Sequence, residues 1–410
     1  MPSLKIGVVY DGDYPWDIRV WKVATSLGDH GHEVHLVCRN LARRPDEESL
    51  AGLHIHRLRA LPGAKLNALG TFPAFMNPVW VRRIAEVVKR SGIEALIVRD
   101  LPLALAAVAV GRRHGLPVIL DMAENYPAML RDVTRFERFK LQNVLVRNAA
   151  LAGVVERIAT RLVDHIVVVI EEARDRLVRA GVSADRISIV RNTPKVELTR
   201  FPAEWDAPTK DATKLTLAFV GGLEPMRGLE AALEMLAAAV RRIPELRFTI
   251  IGDGRWKGDL EAQARALGLG GHVNFTGRRE YQRALFDVQR ADIGLIPHRV
   301  TDHTNSTVPN KLFEYMLLGK PVLATDMIPV RRVLEEVDCG LVYRSHKEGM
   351  EALERLRDET LRRRLGENGR RAVLERYHWD HDGVTLVRAV ERLMTSARPD
   401  VSRQSGAPVR

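Results

Sequence analysis

The residues of this chain best suited to chemistry on an anionic ligand lie between Thr304 and Asp326. A hydroxyl-rich run, Thr304-Asn305-Ser306-Thr307, leads into Pro309, and the apolar stretch that follows reads as a short helix stopped by Gly319. Lys320-Pro321 turns the chain, and Val322-Leu323-Ala324 reads as a buried strand. Lys311 and Glu314 are three residues apart and share one face of the helix's first turn. The free N–H groups of that turn and the helix dipole favour an anion, and Lys311 adds a full positive charge. A cation beside a carboxylate at such a terminus suits a ligand with phosphates at one end and hydroxyls at the other. A capped surface helix with an intrahelical ion pair would show the same local pattern.

Two further loops carry the same chemistry. Gly221-Gly222 follows an apolar strand ending at Val220, and Arg227-Gly228 opens the next helix. Tight glycines let a backbone approach a ligand, and an arginine at a helix start offers a bidentate grip on phosphate. Gly252-Asp253-Gly254 closes another strand, although Gly-Asp-Gly also makes an ordinary turn.

The elements that must position these loops alternate strand and helix. The first half reads as strands at 5–10, 33–38, 53–58, 95–98, 117–120, 166–169 and 187–190. The helices between them include Val79–Lys89, Leu103–His114 and a long helical region over 127–163. The stretch 192–213 fades into Pro194, Pro202 and Pro208. A second series then gives strands at 215–220, 246–251, 272–275, 293–296, 322–324 and 341–343, with a helical C-terminal segment broken near His378-Trp379-Asp380. Such alternation requires parallel strands with helical crossovers, hence two doubly wound α/β domains. The expected organisation is an N-terminal Rossmann-like domain over 1–195, a linker over 196–213 and a C-terminal domain over 214–378. A helix over 379–395 returns to the first domain, and 396–410 has the composition of a disordered tail. Ligands bind beyond the carboxyl ends of such strands, so two domains facing each other enclose one interdomain cleft as the active site.

The 410 residues are too many for one core, and the formal charge of +11 points to anionic partners: nucleotide phosphates or a phospholipid surface. The basic residues are dispersed and form no nucleic-acid motif, so no nucleic acid is expected. Cys38 and Cys339 are far apart and read as buried thiols, and no ligand set for zinc is present. Neither a signal peptide nor an apolar run long enough to span a bilayer appears, so the expectation is a cytoplasmic protein, at most peripheral to a membrane.

In order along the chain, the motifs resemble the C-terminal half of the retaining GT-B glycosyltransferases, family 4 in particular. They are Phe219-Val220-Gly221-Gly222-Leu223 leading to Arg227-Gly228, Ile250-Ile251-Gly252-Asp253-Gly254, Val273-Asn274-Phe275-Thr276-Gly277, and Ala291-Asp292-Ile293-Gly294-Leu295-Ile296-Pro297. Pro309-Asn310-Lys311-Leu312-Phe313-Glu314-Tyr315-Met316 and Gly319-Lys320-Pro321-Val322 complete the series. The N-terminal half is similar more loosely, with Asp17-Ile18-Arg19-Val20 and Gly31-His32-Glu33-Val34 resembling a branch that carries Asp-x-Arg-Val in its first loop.

The resemblance implies a GT-B fold and a nucleotide-sugar donor site. By position, Arg227 keeps the second of the family's two phosphate-gripping basic residues, while Gly222 occupies the first. Glu314 matches the glutamate that accepts the ribose hydroxyls. Ser306, eight residues earlier, stands where a second glutamate would touch the donor sugar. Lys311 would then supply the charge lost at Gly222, and Gly277 with Arg278 would meet the base. Gly221, Asp253, Gly254, His298, Thr307 and Asn310 complete the expected donor contacts. In the first half, Asp11 and Gly12 end the first strand. Arg99 takes the place of a family histidine, and Ala123-Glu124 departs from an Asp-x-His-Glu pattern by losing its histidine. Asp100 and Glu124 would also serve as plain helix caps.

The implied reaction is transfer of a sugar from a nucleotide diphosphate to an acceptor hydroxyl with retained anomeric configuration. Arg227, Lys311 and Glu314 carry the site, and neither a metal nor a cofactor is required. Two basic and apolar stretches fit an anionic lipid surface and a lipid-linked acceptor in polysaccharide or glycolipid synthesis. One joins Lys65, Arg82 and Arg83 to Leu66, Leu69, Phe72, Phe75, Met76, Val79 and Trp80. The other joins Arg131, Arg135, Arg138, Lys140 and Arg147 to Phe136, Phe139, Leu141 and Val144. A nucleotide-sugar 2-epimerase of the same fold, or a sugar-nucleotide binder of weakened activity, are the alternatives left open.

Overall fold

The structure is a computed structural model describing residues 3–15, 17–72, 75–136, 148–202, 205, 211 and 213–397. The chain divides into two units. The first holds the described residues of 1–127, 144–190 and 383–410, and the second those of 128–143 and 191–382.

The first unit is an eight-stranded sheet in the order β3-β4-β2-β1-β5-β6-β7-β8. Its strands are β1 (Lys5–Asp13), β2 (Glu33–Arg39), β3 (Glu47–Leu50), β4 (Leu53–Arg57), β5 (Ala95–Arg99), β6 (Val118–Met122), β7 (His165–Val168) and β8 (Ile187–Ile189). All neighbours are parallel except β3, which pairs antiparallel with β4 at the sheet edge. The sequence reading missed β3 because Glu47-Glu48-Ser49-Leu50 has no apolar face to report; it is an exposed edge strand, where charge is the rule. The central strands β1, β5, β6 and β7 carry near-continuous buried apolar runs, as strands of a parallel sheet covered on both faces do, which is why they were legible. Within the expected helical region over 127–163, the described residues form the helices Tyr126–Phe136 and Ala149–Leu162, and 137–147 lie outside the described residues.

The second unit is a six-stranded parallel sheet in the order β11-β10-β9-β12-β13-β14. Its strands are β9 (Leu215–Val220), β10 (Leu246–Ile251), β11 (Val273–Gly277), β12 (Ile293–Ile296), β13 (Val322–Thr325) and β14 (Gly340–Tyr343). The helix Leu229–Ala239 buries Leu229, Leu233 and Leu236 in one core with Leu217, Phe248 and Ile250. In each unit the chain winds outward from a central strand and then restarts beside it. The reversal falls between β1 and β5 in the first unit and between β9 and β12 in the second. Strand-end loops diverge at such a switch point and leave room for a ligand.

The segment that leads into the expected linker is tied down. Asp382 accepts from Arg191 N at 3.0 Å and from Thr193 Oγ1 at 2.6 Å, and Trp379 N donates to Pro194 O at 2.9 Å.

Arg19 of the Asp-x-Arg-Val loop proves to be structural. Asp17 caps the helix Ile18–Asp29 through Arg19 N and Val20 N. The Arg19 guanidinium then forks onto Asp121 at the end of β6, with Nε 2.9 Å from Oδ2 and Nη2 2.5 Å from Oδ1. It also donates to Val190 O at 3.2 Å. Both side chains are 2% exposed, so removing either leaves the other charge buried and unpaired. Arg19→Met is therefore expected to cost about 3–5 kcal/mol of unfolding free energy, measured by urea denaturation; a loss under about 1 kcal/mol, the level of a surface pair, would contradict this role.

Candidate active site

The ends of β9, β10 and β11 are stitched by backbone bonds into one rim. Gly221 N donates to Ile251 O, Gly252 N to Gly277 O and Leu223 N to Asp253 O, each at 3.0 Å. Gly252 is obligatory: its φ is +154°, and a Cβ there would sit 1.9 Å from Gly221 O. Gly228 is equally constrained, with φ +64° and Pro297 O 2.0 Å from where a Cβ would be. This approach brings the turn carrying Arg227 against the loop after β12, where Arg299 N donates to Met226 O at 3.1 Å.

The helix Asn310–Leu317 is buried along almost its whole length and sends Lys311 and Glu314 to different partners. Lys311 Nζ lies 3.7 Å from the centre of the Phe219 ring and beside Gly221, and it has no hydrogen-bond partner among the described residues. Burial and the neighbouring Arg227 push its pKa well below the ordinary lysine value, against the pull of Glu314. Arg227 Nη1 donates to His298 Nε2 at 2.9 Å. A guanidinium only donates, so this bond makes His298 a neutral imidazole with its hydrogen on Nδ1. Burial, Lys311, Arg227 and His303 all push the His298 pKa down, in keeping with that state. Glu314 Oε1 accepts from Tyr281 Oη at 2.7 Å, and burial beside that carboxylate holds the Tyr281 phenol well above its usual range. Tyr315 Oη accepts from Val220 N at 3.1 Å, while its ring packs against Gly294.

The remaining expected donor residues fall around this rim. Gly222 and Asp253 are exposed, and Gly254 N donates to Asp253 Oδ1 at 2.9 Å. Gly277 ends β11 with φ +74°, and Arg278 beside it is exposed. Asn310 opens the helix, and Thr307 is extended before it. Ser306 is buried, and its hydroxyl donates to Asp302 O inside its own loop.

The first unit gathers the other expected residues at its own switch point. Asp11 and Gly12 lie in the last part of β1, and Arg99 ends β5. Asp100 does not cap the turn that follows. Its Oδ1 accepts from Ala123 N at 2.9 Å, its Oδ2 lies 2.6 Å from Arg99 Nη1, and its own N–H donates to Asp121 O. These bonds hold a buried aspartate at φ +60°, a conformation costing about 1–3 kcal/mol outside glycine. Burial, with Glu124, Asp121 and Asp11 nearby, raises the Asp100 carboxyl to about 7 despite Arg99. Burial opposes the Arg99 charge, but Asp100, Asp121, Asp17 and Glu124 outweigh it and hold the guanidinium protonated.

Sequence reasoning missed Tyr281, Phe219 and Tyr315 as parts of the site. Their signal was present only as apolar periodicity, which does not distinguish a core aromatic from one that positions a charge.

Two doubly wound parallel units with charged residues on their switch-point loops define the GT-B fold. The structure superposes on sucrose-phosphate synthase from Thermosynechococcus elongatus with a TM-score of 0.76, 18% identity and coverage of 96% of this chain and 100% of that one. It superposes on Anabaena HepE in complex with UDP and glucose with a TM-score of 0.69, 14% identity and the same coverage. Residues 17–193 match the family described as Glycosyl transferase 4-like domain, and residues 202–372 match Glycosyl transferases group 1. Together the two matches cover most of the chain, which belongs with the family 4 glycosyltransferases. It is 25% identical over 268 residues to the alpha-D-kanosaminyltransferase of Streptomyces kanamyceticus, covering 63% of this chain and 66% of that one. It is 30% identical over 193 residues to the phosphatidyl-myo-inositol mannosyltransferase of Mycolicibacterium smegmatis, covering 45% and 48%. The aligned stretches thus span 66% and 48% of these two relatives.

Lys311 is a buried charge that no described residue offsets with a hydrogen bond. Its lowered pKa means the native state releases this proton more readily than the unfolded chain does. The cost therefore grows as pH falls below the ordinary lysine range. Lys311→Met is expected to raise the unfolding free energy by about 1–3 kcal/mol, with the gain shrinking toward high pH. Chemical denaturation across pH checks it, and a destabilised variant would show that the ammonium is satisfied.

Proposed function

We propose that the chain is a retaining glycosyltransferase that moves a sugar from a nucleotide diphosphate to an acceptor hydroxyl, in cell-surface polysaccharide or glycolipid synthesis. The observation that carries this reading is the unpartnered ammonium of Lys311, buried beside the Arg227–His298 pair at the second unit's switch point. An unpartnered ammonium close to a guanidinium and a neutral imidazole suits an anion, and a diphosphate supplies one. HepE, of the same fold, is described in complex with UDP and glucose, and the curated relatives are named as transferases of kanosaminyl and mannosyl groups.

Charge builds on the diphosphate oxygens as the glycosidic bond breaks. Arg227 and Lys311 are already oriented to receive it, so little reorganisation is needed at the moment of reaction. The acceptor hydroxyl attacks from the diphosphate's own side and passes its proton to a phosphate oxygen. No covalent nucleophile or metal enters this scheme. Glu314, fixed by Tyr281, accepts the ribose hydroxyls at the other end of the donor.

The acceptor reading rests on the first unit's surface. Leu66 is 64% exposed and Leu69 74%, and Met76 and Val79 are also exposed beside Lys65 and Arg82. Trp80, expected in this patch, is instead core: it is fully buried and donates through Nε1 to Thr71 O at 2.9 Å. Of the second basic stretch, Arg138, Phe139, Lys140, Leu141, Val144 and Arg147 lie outside the described residues. No helix among the described residues is long and apolar enough to cross a membrane. Apolar side chains flanked by lysine and arginine suit the interface of an anionic bilayer, which would give a cytoplasmic, peripheral enzyme a lipid-linked acceptor. The mannosyltransferase relatives are named for a phosphatidylinositol acceptor.

Incubation with UDP-, GDP- and ADP-sugars, with and without acceptor, tests the reaction: transfer or slow donor hydrolysis is expected, and an epimer formed without acceptor would overturn it. Lys311→Ala is expected to lower kcat by about 10²–10³, and unchanged kinetics would remove the central claim. Co-sedimentation with phosphatidylglycerol vesicles is expected to fall on Leu66→Ser/Leu69→Ser substitution; equal pelleting of both proteins would dismiss that surface.

A further inference from the structure

The donor-site reading leaves one gap: Ser306 occupies the place of a sugar-binding carboxylate, and its hydroxyl is spent on Asp302 O. An uncommitted carboxylate oxygen stands nearby on another element. By its contacts, the described part of 128–143 belongs to the second unit, and within it Asp132 is 7% exposed. Asp132 Oδ2 accepts from Thr301 Oγ1 at 2.7 Å and lies 3.8 Å from His303 Nδ1. Asp132 Oδ1 accepts no hydrogen bond from any described residue, and the side chain lines a cavity of about 450 Å³.

The cavity is built by the loop that also carries the phosphate end of the site. From Pro297 to Ser306 this loop places His298 against Arg227 and, a few residues on, Thr301, Asp302 and Asn305 around Asp132. The loop is rigid where it counts. Thr304 Oγ1 accepts from Thr301 N at 2.9 Å and donates to Arg299 O at 2.8 Å, and Asn305 Oδ1 accepts from Ile328 N at 2.9 Å. That last bond leaves the Asn305 amide NH₂ as a donor. Arg131 and Arg135 complete the lining and balance Asp132 and Asp302 in charge. A lining that alternates donors and acceptors and sums to no net charge suits an uncharged, polyhydroxylated ligand, whereas a phosphate would demand an excess of cations.

We infer that this cavity is the donor-sugar subsite and that Asp132 accepts the sugar's hydroxyls, replacing the carboxylate missing at Ser306. The inference rests on the glycosyltransferase reading above. Its specificity follows from the free oxygen. A buried carboxylate left without a hydroxyl donor is costly, so a sugar lacking the matching hydroxyl is rejected.

The test compares a nucleotide sugar with its own nucleoside diphosphate, by calorimetry on the full-length protein. The pair used is whichever of UDP-glucose/UDP, UDP-N-acetylglucosamine/UDP, GDP-mannose/GDP or ADP-glucose/ADP gives the largest thermal shift with the wild type. Asp132→Asn is expected to weaken the sugar nucleotide at least tenfold while changing the Kd of the diphosphate less than twofold. Thr301→Val, which frees the carboxylate without removing it, provides the same comparison with a smaller loss should the first variant fold poorly. Equal weakening of both ligands, weakening of neither, or an effect confined to the KM of the acceptor would overturn the assignment while leaving the transferase reading intact. A wild type that binds none of the eight ligands would remove both.

Discussion

The second unit is organised around one unfavourable charge. Lys311 is buried, with an aromatic face beneath it and a guanidinium nearby, and among the described residues nothing bonds its ammonium. The Phe219 face returns only about 0.5–2 kcal/mol of cation–π attraction, less than an ammonium loses on leaving water. A fold tolerates such a residue when a ligand completes the balance. The surrounding geometry keeps the debt from being settled internally. Glu314 is the nearest obvious counter-charge, but it is held on Tyr281 and oriented by that bond. His298 is kept neutral because Arg227 occupies its acceptor nitrogen.

The backbone makes this arrangement possible, and glycine makes the backbone possible. The strand ends of β9, β10 and β11 approach closely enough to exchange hydrogen bonds only because Gly252 has no side chain to collide with Gly221 O. The Arg227 turn reaches the His298 loop only because Gly228 lies against Pro297 O. Cation placement thus follows from a packing constraint two steps removed from any charge: parallel strands set the loop positions, glycines set their separation, and the separation fixes which side chains meet.

Much of this was legible in the sequence, and the division is physical. Strands of a parallel sheet are rich in buried apolar residues, so β9, β10 and β12 stood out as short runs with their ends correctly placed. The charged residues Arg227, on the turn after β9, and Lys311 and Glu314, on the helix Asn310–Leu317, were visible because charge inside an apolar context is conspicuous. Strand β3 was not, because its sequence is polar and only pairing with β4 makes it a strand. Tyr281 was not, because its contribution is a hydrogen bond across 33 positions of chain. Arg19 was visible as a motif but not as a salt bridge, since its partner Asp121 is 102 positions away. Local pattern reports propensity and periodicity; it carries no record of which distant residue a side chain will meet.

The two units treat charge in opposite ways, and the contrast separates structural from functional residues. In the first, two arginines have their anions: Arg19 forks onto Asp121, and Arg99 lies against Asp100. Asp100 is held at a positive φ by three separate contacts, so that cluster is over-determined without any ligand. In the second, Lys311 is turned onto an aromatic ring, a partner that orients a cation without neutralising it. A residue type therefore says little about its role. What distinguishes the buried cation that builds the fold from the one that awaits a substrate is whether the protein itself supplies the opposite charge. By that criterion Lys311, beside Gly221 at the end of β9, marks a site among the described residues.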